Sequence, residues 1–346
     1  MKAYRLTEWQ HPAELTEAEV PEPGPGQVLV KIGGAGACHS DLHLMEWPAG
    51  TLGFDVPFTL GHENAGWVEA LGAGVEGVEL GEAVSVYGPW GCGRCRACRL
   101  SAENYCEHQA EIGAFGGGLG LNGGMAEYML VPHPRLLLPL GDLDPRDAAP
   151  LSDAALTPYH AIKRSLHLLV PGSTAVVVGV GGLGHMGVQI LRALSPARIV
   201  AVDVSEEKLR LAAEVGADET VIAGEGAAEA IREITGGRGA ELVADMVGSD
   251  DSIALAAAVA KFESDLTIVG LAGGKYEFAF GAVPFEAGLC IPYWGTAVEL
   301  MECLDLAREG RIHAHVERFG LDEAPRAYEK MRAGELDGRA VICPNG

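Results

Sequence analysis

Positive charge is scarce in this chain. Its 346 residues include 25 Lys and Arg against 48 Asp and Glu, which gives a formal net charge of −23. A protein that binds nucleic acid needs clustered basic residues to replace the counterions on the phosphates, and the sequence contains no basic stripe. The composition therefore predicts no nucleic-acid partner.

Long apolar runs are missing as well. The N-terminus, MKAYRLTEWQ, has no segment that could serve as a signal peptide. A charge-free stretch over residues 171–190 is interrupted by glycines and contains His185 and Gln189, which disfavours a membrane span. We therefore expect no membrane association and a reducing, cytoplasmic setting, in which disulfides are rare.

Cysteine is infrequent, yet half of the cysteines lie in one loop. The chain has eight cysteines, and four of them follow the spacing C-x2-C-x2-C-x7-C as Cys92, Cys95, Cys98 and Cys106. Thiolates at this spacing can surround one Zn²⁺ as a closed tetrahedron, which braces a loop and leaves no position for a substrate. We predict a structural zinc lobe over residues 92–106.

Two further residues suit an open metal site. Cys38 lies in GACHSDLH, and His62 lies in GHENAGWVEALGAGV. A catalytic zinc takes three protein ligands of such types and leaves a fourth position for water or substrate. Each residue alone is as compatible with a buried core position, so the two motifs by themselves leave both interpretations open.

A glycine-rich turn follows in the second half of the chain. STAVVVGVGGLGHMGVQILRAL predicts a strand, a turn and an amphipathic helix, with Gly179, Gly181, Gly182 and Gly184 in the turn. Such a turn lets a pyrophosphate approach the backbone at the helix N-terminus. A second strand, IVAVDVS, ends near Asp203, whose carboxylate can bind the ribose 2′-OH and repel the 2′-phosphate of NADP. NAD is therefore the predicted cofactor.

The order of these motifs resembles a known family. CHSDLH, GHExxG, the four-cysteine lobe, the glycine turn and the closing PYWGT and GRAVI segments resemble zinc-dependent alcohol dehydrogenases of the medium-chain dehydrogenase/reductase superfamily. The likeness is strongest to bacterial NAD-dependent secondary-alcohol dehydrogenases and phenylacetaldehyde reductases, and it covers essentially the whole chain.

The resemblance implies a third ligand for the open metal site. In the family this ligand precedes a nicotinamide-contacting Thr by four residues, and counting back from Thr157 gives Asp153. Well-known members have Cys there, and an aspartate preserves the single negative charge. The implied set for a catalytic zinc is Cys38, His62 and Asp153, with Glu63 as a supporting residue or transient ligand.

The resemblance also implies further roles. A proton relay would run from Ser40 to His43, whose imidazole can exchange protons with water near neutral pH. The additional cofactor-binding residues would be His39, Thr157, Leu183, Lys208, Val269 and Leu271. The residues in segments that face the substrate in relatives are Trp47, Phe54, Leu119, Tyr293 and Trp294.

The predicted fold class is α/β with two domains. Residues before about 150 form short β-rich pieces, whereas the later strands and helices alternate, which predicts a parallel doubly wound sheet. By resemblance, residues 1–150 form a GroES-like catalytic domain and residues 151–290 a Rossmann NAD-binding domain. Residues 291–346 would end the Rossmann sheet and return to the catalytic domain.

Two zinc ions and NAD imply an enzyme that transfers hydride. The predicted activity is reversible oxidation of hydrophobic or aromatic, primary or secondary alcohols to aldehydes or ketones. A polyol or formaldehyde dehydrogenase, a zinc-free quinone or enoyl reductase on the same scaffold, and a non-catalytic NADH-binding zinc protein remain alternatives. Relatives also suggest a homotetramer, with a dimer as the alternative.

Overall fold

The computed structural model describes residues 1–336 and 338–346. They divide into two compact units, of which the first contains Met1–Ala154 and Trp294–Gly346 and the second contains Ala155–Tyr293. Within the described residues, no helix combines the length and the apolar character needed to cross a membrane.

The first unit begins with short strands and short helices. The strands are β1 (Lys2–Leu6), β2 (Glu14–Glu17), β3 (Val28–Gly36), β4 (Phe58–Thr59), β5 (Glu63–Leu71), β6 (Ala83–Val86), β7 (Gly116–Gly117), β8 (Gly120–Leu121), β9 (Tyr128–Val131) and β10 (Leu137–Pro139). The helices are α1 (His39–Glu46), α2 (Arg96–Arg99), α3 (Gln109–Ile112) and α4 (Pro145–Ala148).

β3 is the central strand of this unit. Its sequence, VLVKIGGAG, is almost entirely buried, as expected for a mostly apolar strand that packs on both faces. It pairs antiparallel with β5 and with β9. Gly36, at the end of β3, allows a close approach, since a Cβ there would overlap the carboxylate of Glu63. β3 and β5 therefore bring the Cys38 and His62 segments to the same end of the sheet.

The second unit alternates strands and helices. Its elements are α5 (Leu156–Lys163), β11 (Thr174–Val178), α6 (Gly184–Leu194), β12 (Arg198–Asp203), α7 (Glu206–Glu214), β13 (Glu219–Ile222), α8 (Ala227–Ile234), β14 (Ala240–Asp245), α9 (Asp250–Val259), β15 (Ala260–Ile268) and β16 (Gly288–Cys290).

The six strands of this unit form a parallel sheet in the order β13-β12-β11-β14-β15-β16. This order is that of a dinucleotide-binding doubly wound fold. Alternate valines of β11, β12 and β14 form its core with Ile231 and Leu266. The sheet ends at Cys290, so residues 291–293 add no further strand to it.

The last segment returns to the first unit. It comprises α10 (Ala297–Arg308), β17 (Val316–Gly320), α11 (Ala324–Ala333) and β18 (Arg339–Cys343). β18 pairs antiparallel with β3, with Val341 opposite Gly36, and Gly36 in turn lies opposite Glu63 on β5. The predicted combination of a β-rich domain with a parallel doubly wound sheet is confirmed.

Candidate metal and cofactor sites

Cys38, His62 and Asp153 come together in the first unit. Their ligand atoms, with a carboxylate oxygen of Glu63, all lie within 4.8 Å of one another. The Cys38 Sγ is 4.0 Å from Asp153 Oδ2, and His62 Nε2 is 3.8 Å from the same oxygen. A tetrahedral zinc site places such atoms about 3.4–3.5 Å apart, so a small contraction would suit one ion.

Three different local structures hold these residues. Cys38 lies two residues after the end of β3 and is the N-cap residue of α1. His62 lies between β4 and β5, and Asp153 follows a single 3₁₀ turn over Ala149–Ser152. The site is therefore assembled from three segments, the first and last of which, at Cys38 and Asp153, are 115 residues apart.

Asp41 supports two of the candidate ligands. Its Oδ2 accepts a hydrogen bond from the Cys38 amide at 2.9 Å and another from the Tyr328 hydroxyl at 2.8 Å. Its Oδ1 lies 3.3 Å from His62 Nδ1, which leaves Nε2 directed at the candidate site. A carboxylate behind a ligating imidazole fixes the tautomer and the orientation of the ring.

Glu63 is bound by a buried arginine. Arg339, on β18, donates from Nε to Glu63 Oε2 at 3.0 Å and from its terminal nitrogen to Oε1. The same terminal nitrogen lies 3.7 Å from Asp153 Oδ2. The side chains of Arg339 and Glu63 are 4% and 0% exposed, so the pair is screened from water.

The site has an excess of acidic groups. Among the described residues, Cys38, Glu63 and Asp153 interact with the buried cation Arg339, and Asp41 lies behind His62. Burial raises the pKa of the Cys38 thiol. Arg339 and His62 lower it by more than burial raises it, so the pKa lies below its usual value. The donor set and its negative charge fit a divalent cation, and zinc accepts sulfur, nitrogen and oxygen ligands together.

The four lobe cysteines also converge. Cys95 Sγ lies 3.4 Å from Cys98 Sγ, and Cys92 Sγ lies 3.9 Å from Cys98 Sγ. The edge of a ZnS₄ tetrahedron is about 3.8 Å for Zn–S bonds of about 2.3 Å. Backbone amides point at the sulfurs, and those of Arg94 and Cys95 help lower the pKa of the Cys92 thiol to about 6. These donors favour the thiolate of Cys92, whereas burial raises the pKa of the Cys98 and Cys106 thiols. The convergence of the four sulfurs is what suits a closed zinc site.

The glycine turn of the second unit fits a dinucleotide. Gly179 has a φ of 86°, in the left-handed region that glycine tolerates. A Cβ on Gly184 would overlap the carbonyl of Gly179, whereas a Cβ on Gly181 would meet no atom within 4 Å. Gly184 is thus needed for packing of α6, and Gly181 leaves open space where a pyrophosphate can approach the backbone. Gly182 and Leu183 complete the turn before α6.

Asp203 closes β12 beside this turn. Its Oδ2 accepts a hydrogen bond from the Val180 amide at 2.7 Å, and its Oδ1 accepts one from the Ser205 amide at 2.9 Å. Each oxygen keeps a second lone pair, so the carboxylate can still accept from ribose hydroxyls. The two bonds fix its orientation at the carboxyl end of the sheet.

The remaining cofactor candidates occupy varied environments. Val269 is buried and donates its amide to Asp245, while Leu271 is 61% exposed. Lys208 lies in the first turn of α7, and Thr157 lies half-buried in α5. His39 is exposed at the start of α1 in the first unit.

The two relay candidates, Ser40 and His43, follow Cys38 closely in the sequence, and Ser40 also contacts a candidate metal ligand. Ser40 Oγ lies 3.3 Å from His62 Nε2, the nitrogen that faces the candidate metal position. His43, one turn further along α1, is partly exposed and stacks on Trp47 with ring centroids 5.6 Å apart.

The candidate pocket residues fall into separate groups. Phe54 is buried and packs edge-on against Phe115, whose amide donates to the carbonyl of Leu119. Trp294 is buried against His62 in the first unit. Tyr293 is the last residue of the second unit and is 41% exposed.

Sequence reasoning missed Asp41, Arg339 and Tyr328. Asp41 had a local signal, because a carboxylate three residues after an N-cap can bond back to the capping amide, as it does here. Arg339 and Tyr328 had none, because their proximity to the site arises only when the C-terminal segment pairs with β3.

Comparisons with known proteins agree with the two-domain fold and the candidate metal and cofactor sites. Residues 24–142 match the model of the alcohol dehydrogenase GroES-like domain, and residues 182–291 match that of the zinc-binding dehydrogenases. An NAD-dependent alcohol dehydrogenase of Sulfurisphaera tokodaii is 35% identical, with 99% of this chain and 100% of the relative covered. A D-arabinose 1-dehydrogenase (NADP(+)) of Saccharolobus solfataricus is 34% identical, with 99% and 97% covered.

A solved structure extends the likeness to three dimensions. The alcohol dehydrogenase of the hyperthermophilic archaeon Aeropyrum pernix superposes with a TM-score of 0.90 at 37% identity, covering 99% of this chain and 100% of that one. The β-rich domain is therefore GroES-like and the parallel sheet is a Rossmann-type domain. The chain belongs to the zinc-dependent alcohol dehydrogenases of the medium-chain dehydrogenase/reductase superfamily, as an enzyme that uses zinc and NAD.

Proposed function

We propose that the enzyme reversibly oxidises hydrophobic or aromatic alcohols, primary or secondary, at a zinc held by Cys38, His62 and Asp153. The convergence of these three donors within 4.8 Å is the observation that carries the ligand assignment. When bound, zinc supplies an electrophile for the alcohol oxygen and NAD supplies the hydride acceptor.

The protein's own residues would hold the reactants and carry the proton away. Ser40 Oγ lies 3.3 Å from His62 Nε2, so it would accept the proton of an alcohol hydroxyl held there while it releases its own hydroxyl proton towards His43. His43 is partly exposed on the same helix and can exchange a proton with water. The carboxylate of Asp203, oriented by two backbone amides, would select NAD through the ribose hydroxyls.

Buried aromatic residues of the first unit support an apolar substrate. Phe54 and Trp294 are 7% and 6% exposed, and Trp294 lies directly against His62. Large apolar walls favour aryl and alkyl groups over polyols, whose hydroxyls need hydrogen-bond partners. The name of the D-arabinose 1-dehydrogenase relative favours a sugar substrate instead, so sugars belong in the substrate panel.

The experiment that tests the proposal combines metal analysis with substrate profiling. The purified protein is expected to hold two zinc ions per chain and to oxidise 1-phenylethanol and hexanol with NAD in preference to NADP. D-Arabinose, sorbitol and formaldehyde serve as the comparison substrates. One zinc per chain without turnover would support a non-catalytic NADH-binding protein, and higher kcat/KM for D-arabinose would overturn the apolar substrate class.

We also propose that the enzyme works in the cytoplasm, where cell fractionation should find the activity, and that it forms homotetramers or homodimers. β16 lies at the edge of the parallel sheet, and Leu289 in this strand and Ile291 immediately after it are 46% and 73% exposed. An unpaired strand edge with apolar side chains is a surface that a second copy can cover by strand pairing.

The oligomer proposal predicts a multiple of the chain mass, 36.2 kDa, in light scattering. We expect four or two copies for the wild type and a shift to smaller species for Ile291→Lys, because a charge at the edge opposes pairing. Val170→Lys, at another exposed apolar position of the same unit, is the matched control. A monomeric wild type, or an unchanged mass for Ile291→Lys, would contradict this interface.

A further inference from the structure

Trp294 has an unusual backbone conformation. Its φ is 53°, in the left-handed region that bulky residues seldom adopt, and its side chain is buried. A non-glycine residue keeps such a conformation only where the surrounding contacts over-determine it. The neighbours of Trp294 are therefore informative about why the conformation is held.

Tyr87 and Gly88, which directly follow β6, hold Trp294 in this conformation. The buried Tyr87 donates a hydrogen bond from its hydroxyl to the carbonyl of Gly295 at 2.6 Å. Gly88 has no Cβ, and a Cβ there would overlap the six-membered ring of Trp294. The indole can therefore approach the Gly88 backbone closely, and the hydroxyl of Tyr87 holds the carbonyl of Gly295.

The clamped indole contacts the candidate metal site from two sides. Its Nε1 donates a hydrogen bond at 3.0 Å to the carbonyl of Ser152, the residue immediately before Asp153. Its ring stands edge-on to the imidazole of His62, with centroids 5.6 Å apart and planes at 86°. One side chain thus fixes the backbone that carries one candidate ligand and packs against another.

We propose that Trp294 is a positioning residue of the catalytic zinc site, and that Tyr87 and Gly88 serve to hold it there. The indole keeps the Asp153 carboxylate and the His62 ring in the orientations in which their ligand atoms converge. This role rests on the proposed ligand set and goes beyond lining a pocket, because it concerns retention of the metal and not fit of the substrate.

The test compares Trp294 with a second buried tryptophan whose indole N–H also donates to a backbone carbonyl. Trp90 is also buried, and its Nε1 donates to a backbone carbonyl, that of Tyr87, at 2.9 Å. Trp294→Phe and Trp90→Phe each remove one indole N–H from a buried carbonyl, but only Trp294 touches the candidate ligands. Trp90 bonds the main-chain carbonyl of Tyr87 and not the hydroxyl that holds Gly295.

The readout is the rate at which the zinc-loaded enzyme loses zinc to excess EDTA, followed by elemental analysis. Asp153→Asn identifies which phase of zinc loss belongs to the catalytic site, and the zinc of the cysteine lobe is the internal reference. We expect Trp294→Phe to lose the catalytic zinc about ten- to a hundred-fold faster, the range typical for residues that orient metal ligands. Trp90→Phe should lose the catalytic zinc at the rate of the wild type.

Cobalt substitution gives a second readout. The visible absorption of Co²⁺ in the catalytic site reports ligand geometry and should change in Trp294→Phe but not in Trp90→Phe. If Trp294→Phe does not fold, Tyr87→Phe and Gly88→Ala replace it, and both should accelerate loss of the same zinc.

Two outcomes overturn the proposal in distinguishable ways. If the wild type holds two zincs and oxidises alcohols, but the Trp294, Tyr87 and Gly88 variants keep the catalytic zinc as well as Trp90→Phe does, the positioning role is wrong and the proposed function stands. If the wild type holds only the lobe zinc, the ligand set and the positioning role fail together.

Discussion

Asp153→Asn is expected to leave one zinc per chain and to lower kcat/KM for alcohol oxidation by more than about a hundred-fold. Residues that merely orient metal ligands cost about 10- to 100-fold when replaced, and a direct ligand should cost more. The amide is a weaker zinc donor than a carboxylate and carries no charge, so Cys38 and His62 would be left to hold a dication with one negative charge removed.

A charge-preserving substitution separates this explanation from a general structural effect. Asp153→Cys restores a thiolate at the position where the Cys₂His members of the family have one, so it should retain more zinc and activity than Asp153→Asn. Asp142→Asn, at an exposed position, is the control for losing a carboxylate elsewhere and should behave as the wild type. Two tightly bound zincs in Asp153→Asn would remove Asp153 from the ligand set.

Features specified by a short stretch of sequence could be predicted before the fold was known. The four lobe cysteines span fifteen residues, Cys92 to Cys106, and their sulfurs lie together. The glycine turn likewise lies between one strand and one helix, and it has the geometry that a pyrophosphate requires. In both cases the chain between the functional residues is too short to place them far apart.

The open metal site was predictable only in part. Nothing local links Asp153 to Cys38, which is 115 residues away, so this ligand was predicted by resemblance and not from spacing. Arg339 and Tyr328 were missed altogether because strand and helix pairing at the C-terminus decides their neighbours. A pattern of local hydrophobicity specifies that β18 is a strand, but it does not specify that β18 pairs with β3.

Trp294 was predicted as a pocket residue, but its detailed contacts could not be predicted from the sequence. The resemblance implied that Trp294 faces the substrate, and the structure shows its side chain buried in the first unit. Its bond to Ser152 and its fit against Gly88 depend on a left-handed backbone conformation. A tryptophan gives no sequence signal for that conformation, since glycine and asparagine are the residues that normally adopt it.

Arg339→Gln is expected to lower the free energy of unfolding by about 3–5 kcal/mol, the cost of removing one partner from a buried ion pair. Arg339 is the permanent cation that faces the carboxylates of Glu63 and Asp153, and it also lowers the pKa of the Cys38 thiol. Without it, the fully buried Glu63 would remain charged without a partner, or would have to take up a proton. Urea denaturation of the metal-depleted protein measures this term apart from zinc binding.

The double variant Arg339→Gln, Glu63→Gln decides whether charge or packing is responsible. Neutralising both partners removes the uncompensated charge, so the double variant should recover a large part of the lost stability. If Arg339 contributed only packing volume, the double variant would recover none of it. Arg318→Gln is the matched control, since Arg318 pairs with Asp147 at the surface, where both side chains are 44% or more exposed. Such a pair contributes at most about 1 kcal/mol, because water screens the two charges. Equal losses for Arg339→Gln and Arg318→Gln would contradict a buried, unscreened pair behind the metal site.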